Sequence, residues 1–304
     1  MITLLMLPFL LVVRLLVDDN LWLYGPEYTY SAQVTIVNVN EDENIKLKAF
    51  DMSSTLKCRP RVPDTLNCRF DDTGMRFYQQ GLADLGDNAI QVWDMSEEAF
   101  DIKFDKNGVN TLVVSKDMSP WVIGGLRAIV NQLNFGVDLR NKGDGTFTTV
   151  EKSYIGECEA AVRISRKPIQ DGGIWSNNVF EIAPMPGFRK DSEEVVEIEK
   201  WRNLEECADK ADYFFGSKTV SPDNYMSTLT KMISSVSQIV ISDTNYTAYT
   251  ANEIIVTNEN TGKQVKLEEK ITLRLDSITP DNSEDPSMEK SASQRFFADQ
   301  HTNT

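Results

Sequence analysis

Histidine is almost missing from this 304-residue chain: its single copy, His301, stands close to the C-terminus. That argues against histidine general-base catalysis, a Ser-His-Asp triad and His-ligated zinc. Cysteine is scarce too. The four copies, at positions 58, 68, 158 and 207, lack the close pairs that a zinc ribbon requires. Gly124-Gly125 and Gly172-Gly173 do not have the spacing of a phosphate-binding loop. Basic charge is in deficit, with 31 Lys and Arg against 46 Asp and Glu, a net charge of −15 and a pI near 4.6. General attraction to nucleic acid or to an anionic membrane surface needs the opposite balance. Close carboxylate pairs such as Glu193-Glu194 read as a solvated face in so acidic a chain. The chain is therefore not expected to be an enzyme, and no cofactor, metal or nucleic-acid partner is expected.

Long apolar runs are absent beyond residues 1–17. That run is too short to span a bilayer and reads as a secretory signal. Arg14 interrupts it and no basic segment precedes it, so a buried N-terminal strand is the competing reading. The mature chain is expected to be soluble, secreted and extracellular.

What is present is β-rich alternation in a chain that is 41% hydrophobic, long enough for one large β domain. Tyr28 to Asn40 alternates, and Ile45 to Met52 returns after a polar turn. Ala99–Phe104 and Val109–Ser115 flank Asn107-Gly108, a dipeptide suited to positive φ at both turn positions. Ser119 and Pro120 then form a helix start, and Val122, Leu126, Ile129, Val130 and Leu133 recur at helical spacing. Further strands are expected over Thr146–Cys158, Val195–Trp201, Phe214-Phe215 and Ile233–Ser242, with one possible strand near 179–182 in a loop-like stretch from 165 to 192. Leu82–Val92 reads as a short helix or a connector. The Ser-, Asp-, Glu- and Pro-rich residues 280–304 are expected to be disordered.

Phe-Asp-Ile-Lys-Phe from 100, Gly-Val-Asn-Thr-Leu-Val-Val from 108, and Pro120-Trp121 opening a helix that ends Val130-Asn131-Gln132-Leu133 together resemble the N-terminal barrel of the vitellogenins. The resemblance continues through Trp22 to Tyr30, Pro63-Asp64-Thr65-Leu66, Gly156-Glu157-Cys158-Glu159, Arg202 to Cys207 and Tyr213-Phe214-Phe215-Gly216. It covers about residues 21–279. It implies a mainly β fold, an antiparallel barrel-like sheet wrapped around one central helix. The organisation expected is a signal over 1–17, the barrel domain over 18–279 and the acidic tail over 280–304.

Four cysteines permit three pairings. The resemblance implies Cys158 with Cys207. Cys58 and Cys68 flank Arg59-Pro60-Arg61-Val62-Pro63 and are expected to pair across that hairpin, a loop that contributes roughly 2–3 kcal/mol in the chain-entropy model. Asn245-Tyr246-Thr247 is a glycosylation sequon that makes Asn245 a candidate glycan site.

The resemblance also implies a partner, an endocytic receptor of the low-density-lipoprotein class whose acidic modules take lysine or arginine. Lys200 and Arg202 match the family's basic strand and are the candidate receptor-binding residues. Glu199 departs from its pattern. The function expected is that of the N-terminal domain of a lipid-transport and yolk nutrient-storage protein. The remainder of a larger chain is expected as a partner, and lipid only with those further domains. The alternative is a stand-alone secreted barrel that binds a protein or a small apolar ligand without bulk lipid.

Overall fold

The computed structural model describes residues 4–6, 12–15, 26–40, 45–61, 64–78, 98–139, 142–168, 180–183, 194–208, 228–242, 245–258, 261–280 and 291–295. Its strands are β1 (Leu4–Met6), β2 (Val12–Leu15), β3 (Pro26–Asn40), β4 (Ile45–Arg61), β5 (Thr65–Phe77), β6 (Phe100–Asp105), β7 (Gly108–Ser115), β8 (Gly145–Ser153), β9 (Gly156–Pro168), β10 (Phe180–Ala183), β11 (Glu194–Ala208), β12 (Thr228–Ile241), β13 (Tyr246–Asn258), β14 (Gln264–Pro280) and β15 (Ser291–Arg295). One helix, α1 (Pro120–Val130), runs into a 3-10 turn at Asn131–Leu133.

Twelve strands form one antiparallel sheet in the order β15-β7-β6-β5-β4-β3-β14-β13-β12-β11-β9-β8. The longer strands alternate because one face is buried. In β13 every second residue from Tyr246 to Val256 is buried and those between are half-exposed. The buried faces share one core with α1. Leu126, Ala128, Ile129 and Val130 of the helix are all 2% exposed or less, and a fully buried aliphatic side chain is worth about 1.5–3 kcal/mol. Ser119 caps the helix, its Oγ accepting from the Val122 N–H at 3.3 Å. The fold class expected from the sequence, an antiparallel barrel-like sheet around one helix, is the one observed.

Several local expectations differ. The β6–β7 turn is centred on Lys106 and Asn107, with Asp105 paired to Gly108. Only Gly108 takes a positive φ (129°), and the Asn107 N–H is held by Asp105 Oδ1 at 2.7 Å. Thr146–Cys158 is two strands, β8 and β9, folded over Tyr154-Ile155. That turn was hidden because both residues are apolar and buried. β13 was not anticipated: Thr250 and Asn252 occupy inward positions at its middle and break the apolar alternation.

In the tail, Ser291–Arg295 pairs with β7. That corrects the expectation of disorder for these residues. Composition measures burial of apolar side chains, whereas adding a strand to an edge requires only backbone donors and acceptors. Residues 4–6 and 12–15, within the segment read as a signal, pair as β1 and β2 with β10 in a separate three-stranded sheet. The readings of 82–92 and of Phe214-Phe215 lie outside the described residues.

Candidate functional site

The chain between β7 and β8 runs from one end of the twelve-stranded ladder toward the other. Among the described residues no strand pairing joins those ends, and the segment after α1 bridges them instead. Asn134 is fully buried; its Oδ1 accepts from the Val109 N–H of β7 (2.9 Å) and from Gly136 N–H (3.0 Å), while its Nδ2 donates to the Lys152 carbonyl of β8 (2.8 Å). The Lys152 N–H in turn donates to the Gly136 carbonyl at 2.9 Å. Two glycines permit the approach. A Cβ on Gly108 would collide with Asn134 Oδ1. One on Gly136 (φ 73°) would lie 2.5 Å from Glu151 Cγ and 2.7 Å from the Lys152 carbonyl.

Beside this seam lies a buried charge cluster. Lys200 and Arg202 of β11 continue the inward parity of Val196 and Ile198, and all four are buried. The Lys200 Nζ donates to Glu151 Oε1 (2.6 Å), the Asn134 carbonyl (3.0 Å) and the Phe135 carbonyl (3.1 Å). All three ammonium protons are therefore used. The Arg202 Nη2 donates to Glu151 Oε1 (2.8 Å), its Nε lies 2.5 Å from Glu151 Oε2, and its Nη1 donates to Ser235 Oγ (2.9 Å) and Ser237 Oγ (2.8 Å). Beyond Ser237 the network passes to Thr250 and Gln132.

The arrangement answers a local need. The last carbonyls of a helix lack partners and its C-terminal end is partially negative. Lys200 reaches the carbonyls just past the 3-10 turn, and the Tyr246 hydroxyl donates to the Gln132 carbonyl at 2.6 Å. Burial alone would raise the Glu151 pKa, but the charges of Arg202 and Lys200 and their hydrogen bonds outweigh it and hold the carboxyl below its ordinary 4.5. Burial lowers the Lys200 pKa from 10.5, against the pull of Glu151. Burial also raises the Tyr246 hydroxyl well above 10, keeping it a donor.

These positions correct the expectation that Lys200 and Arg202 are exposed for a receptor. They share one side of a strand as expected, but it is the core side, where their exposures are 1% and 7%. Trp201, between them, is turned outward at 37% exposure beneath the Arg163 guanidinium. The apolar parity of Val196 and Ile198 was the available signal. Glu151 was not singled out, because nothing in its sequence neighbourhood distinguishes it from the other acidic residues.

Both expected disulfides are present: Cys58–Cys68 between β4 and β5, and Cys158–Cys207 between β9 and β11. Asn203 pairs with Glu159 and Cys207 with Cys158, so residues 204–206 loop out, clamped by the second bridge. Cys158 also lies opposite Glu151, which ties that bridge to the charge cluster. Asn245 is exposed between β12 and β13.

Comparison with known proteins gives the same frame. Vitellogenin-1 of Solenopsis invicta is 24% identical over 278 residues, which cover 83% of this chain and 16% of that protein. The chain thus spans a small part of that relative. A solved structure of lipovitellin, described for its lipid–protein interactions, superposes with a TM-score of 0.55 at 11% identity over 91% of this chain and 28% of the other. That likeness concerns the fold. The vitellogenin N-terminal domain family matches residues 22–283. With that match covering most of the chain, on one antiparallel sheet packed around a single helix, the chain belongs to the vitellogenin N-terminal domain family.

Proposed function

We propose that this chain is the N-terminal domain of a secreted lipid-transport and yolk-storage protein, and that it acts in recognition by an endocytic receptor of the low-density-lipoprotein class rather than as an enzyme. The family match over residues 22–283 carries the reading. The interior of the barrel is occupied by α1 and by the side chains of the surrounding strands. Bulk lipid is accordingly assigned to further domains of a longer protein.

Receptor contact needs exposed cations, and the buried pair Lys200 and Arg202 serves the fold. Lys103 and Lys106 of the β6–β7 hairpin, and Lys116 just after β7, are exposed. They are the better candidates for capture by acidic modules, which recognise charge at the surface. Replacing all three with alanine is expected to reduce capture by such a module several-fold with folding intact; unchanged capture would remove them.

Immunoblotting of source tissue and body fluid tests the larger claim. A band far above 34.4 kDa is the expected result. A secreted species near that mass, with no larger one, would favour a free-standing binding barrel. Lipid extraction of the purified chain is expected to yield no stoichiometric bulk lipid, and many lipids per chain would contradict the assignment. Asn245 is proposed to carry a glycan, read out by a mass shift on enzymatic deglycosylation.

A further inference from the structure

The two disulfides differ in their access to solvent. Cys58 and Cys68 stand directly opposite each other on β4 and β5, and their exposures are 0% and 1%. Burial shields both sulfurs from a dissolved thiol while the barrel is folded. In the second bridge Cys158 is equally buried, but Cys207 is half-buried. Cys207 follows the looped-out residues 204–206, of which Glu205 and Glu206 are exposed.

The end of β11 is also held differently from its middle. Among the described residues β12 pairs with β11 no further than Trp201, whereas β9 continues to Asn203 and then, past the bulge, to Cys207 and Ala208. Residues 203–208 are thus paired on one side, and half-buried Leu204 and Cys207 pack against the core. Immediately before them Arg202 is fixed by Glu151, Ser235 and Ser237. The strand therefore has a firm anchor at Arg202 and a covalent clasp at Cys207, with a short acidic segment between.

We propose that Cys158–Cys207 is a reducible latch, opened in the folded barrel by a small neutral or cationic thiol, and that its opening frees residues 203–208 as far as Arg202 while Cys58–Cys68 stays closed. The thiolate bonds to Cys207 Sγ and the S–S bond breaks; the Cys158 sulfur leaves with the electron pair and takes a proton. A second thiolate attacks the added sulfur, releasing Cys207 as a thiolate and a small-molecule disulfide. Two thiols are oxidised and the bridge gains two electrons. The charges near Cys207 select the thiol. Glu159, Glu205 and Glu206 are exposed, while Glu157 is paired with Lys152 at 2.9 Å. That excess of negative charge slows the approach of an anionic thiol such as glutathione and favours cysteamine.

The test uses the full chain under native conditions at low salt, treated with cysteamine or glutathione, alkylated and read by peptide mass spectrometry. Cys158 and Cys207 should label together, well before Cys58 and Cys68. Cysteamine should act several-fold faster than glutathione once each rate is normalised to that on a small-molecule disulfide. Glu205→Gln/Glu206→Gln should shrink this preference. Hydrogen exchange of the reduced chain should accelerate at 203–208 and stay slow at Lys200 and Arg202. Opening of both bridges at one rate, or of neither before unfolding, overturns the latch. Labelled Cys158 and Cys207 with unchanged exchange at 203–208 overturns the release, and equal normalised rates overturn the selection of thiol.

Discussion

The two halves of the barrel's inner surface are lined by different chemistry. On β3 to β6 the inward positions are mainly apolar, among them Tyr28, Tyr30, Val34, Ile36, Phe50, Leu56, Phe70, Phe100 and Ile102, all nearly fully buried, with Asn38 and Ser54 as polar exceptions, and Phe70 and Phe100 are stacked at 5.8 Å. On β8, β11, β12 and β13 the inward positions include Glu151, Ser153, Lys200, Arg202, Ser235, Ser237, Thr250 and Asn252, equally buried. The first half is held by the non-directional gain of removing apolar surface from water. The second is held by directional bonds, and Lys200, Arg202 and Glu151 are placed there with close ionic or hydrogen-bonding partners. The polar half is the one that meets the end of α1, where unpaired carbonyls need donors. A purely apolar lining would leave them unsatisfied at about 1–3 kcal/mol each.

The comparison can be broken most forcefully at Glu151. Glu151→Ala leaves two cations buried without their counter-charge and is expected to destabilise the domain by about 3–5 kcal/mol, a range typical of broken buried pairs. Denaturant unfolding measures it. Phe70→Ala in the apolar half is expected to cost about the same, roughly 3–5 kcal/mol. Size alone does not separate the halves, but pH does.

Asn134→Ala is expected to cost less, about 1–3 kcal/mol, by freeing buried groups on both sides of the seam. Its signature is local: hydrogen exchange should accelerate at the Val109 and Gly136 amides more than at Leu112. Uniform acceleration would mean that Asn134 does not close the seam. The smallest effect belongs to the outer face, where Arg163 pairs with Glu199 in water. Arg163→Ala should change stability by no more than about 1 kcal/mol and become still less important in high salt.

Much of this was legible in the sequence. Ser119-Pro120 with the stripe from Val122 to Leu133 gave the helix, and the run of motifs gave the family. The disulfides followed from the Cys58–Cys68 hairpin and from the resemblance. What stayed hidden depends on contacts distant in the chain. Lys200 and Arg202 look like surface charges between Glu197, Glu199 and Trp201, and become core residues only through Glu151, which lies 49 positions before Lys200. Thr250 and Asn252 concealed β13 because their inward partners, Gln132 and Tyr154, come from other elements. Tyr154-Ile155 lacked turn chemistry because this turn is buried. Polar residues on an inward parity break the apolar pattern, and that pattern was the main signal for a strand.

The most direct test is the stability difference between the unaltered chain and Glu151→Gln, measured by denaturant unfolding across a pH series. The folded state holds the Glu151 carboxyl below its ordinary 4.5. The unfolded state therefore binds its proton first as pH falls, and the stabilisation from this carboxylate is full above about 4.5 and lost below it, through the folded value. The account predicts a gap between the two chains that is constant near neutrality and closes as pH falls below 4.5, while the gap to Phe70→Ala stays unchanged over the same range. A Glu151→Gln gap independent of pH would contradict the claim that a charged Glu151 holds Lys200 and Arg202 inside the barrel.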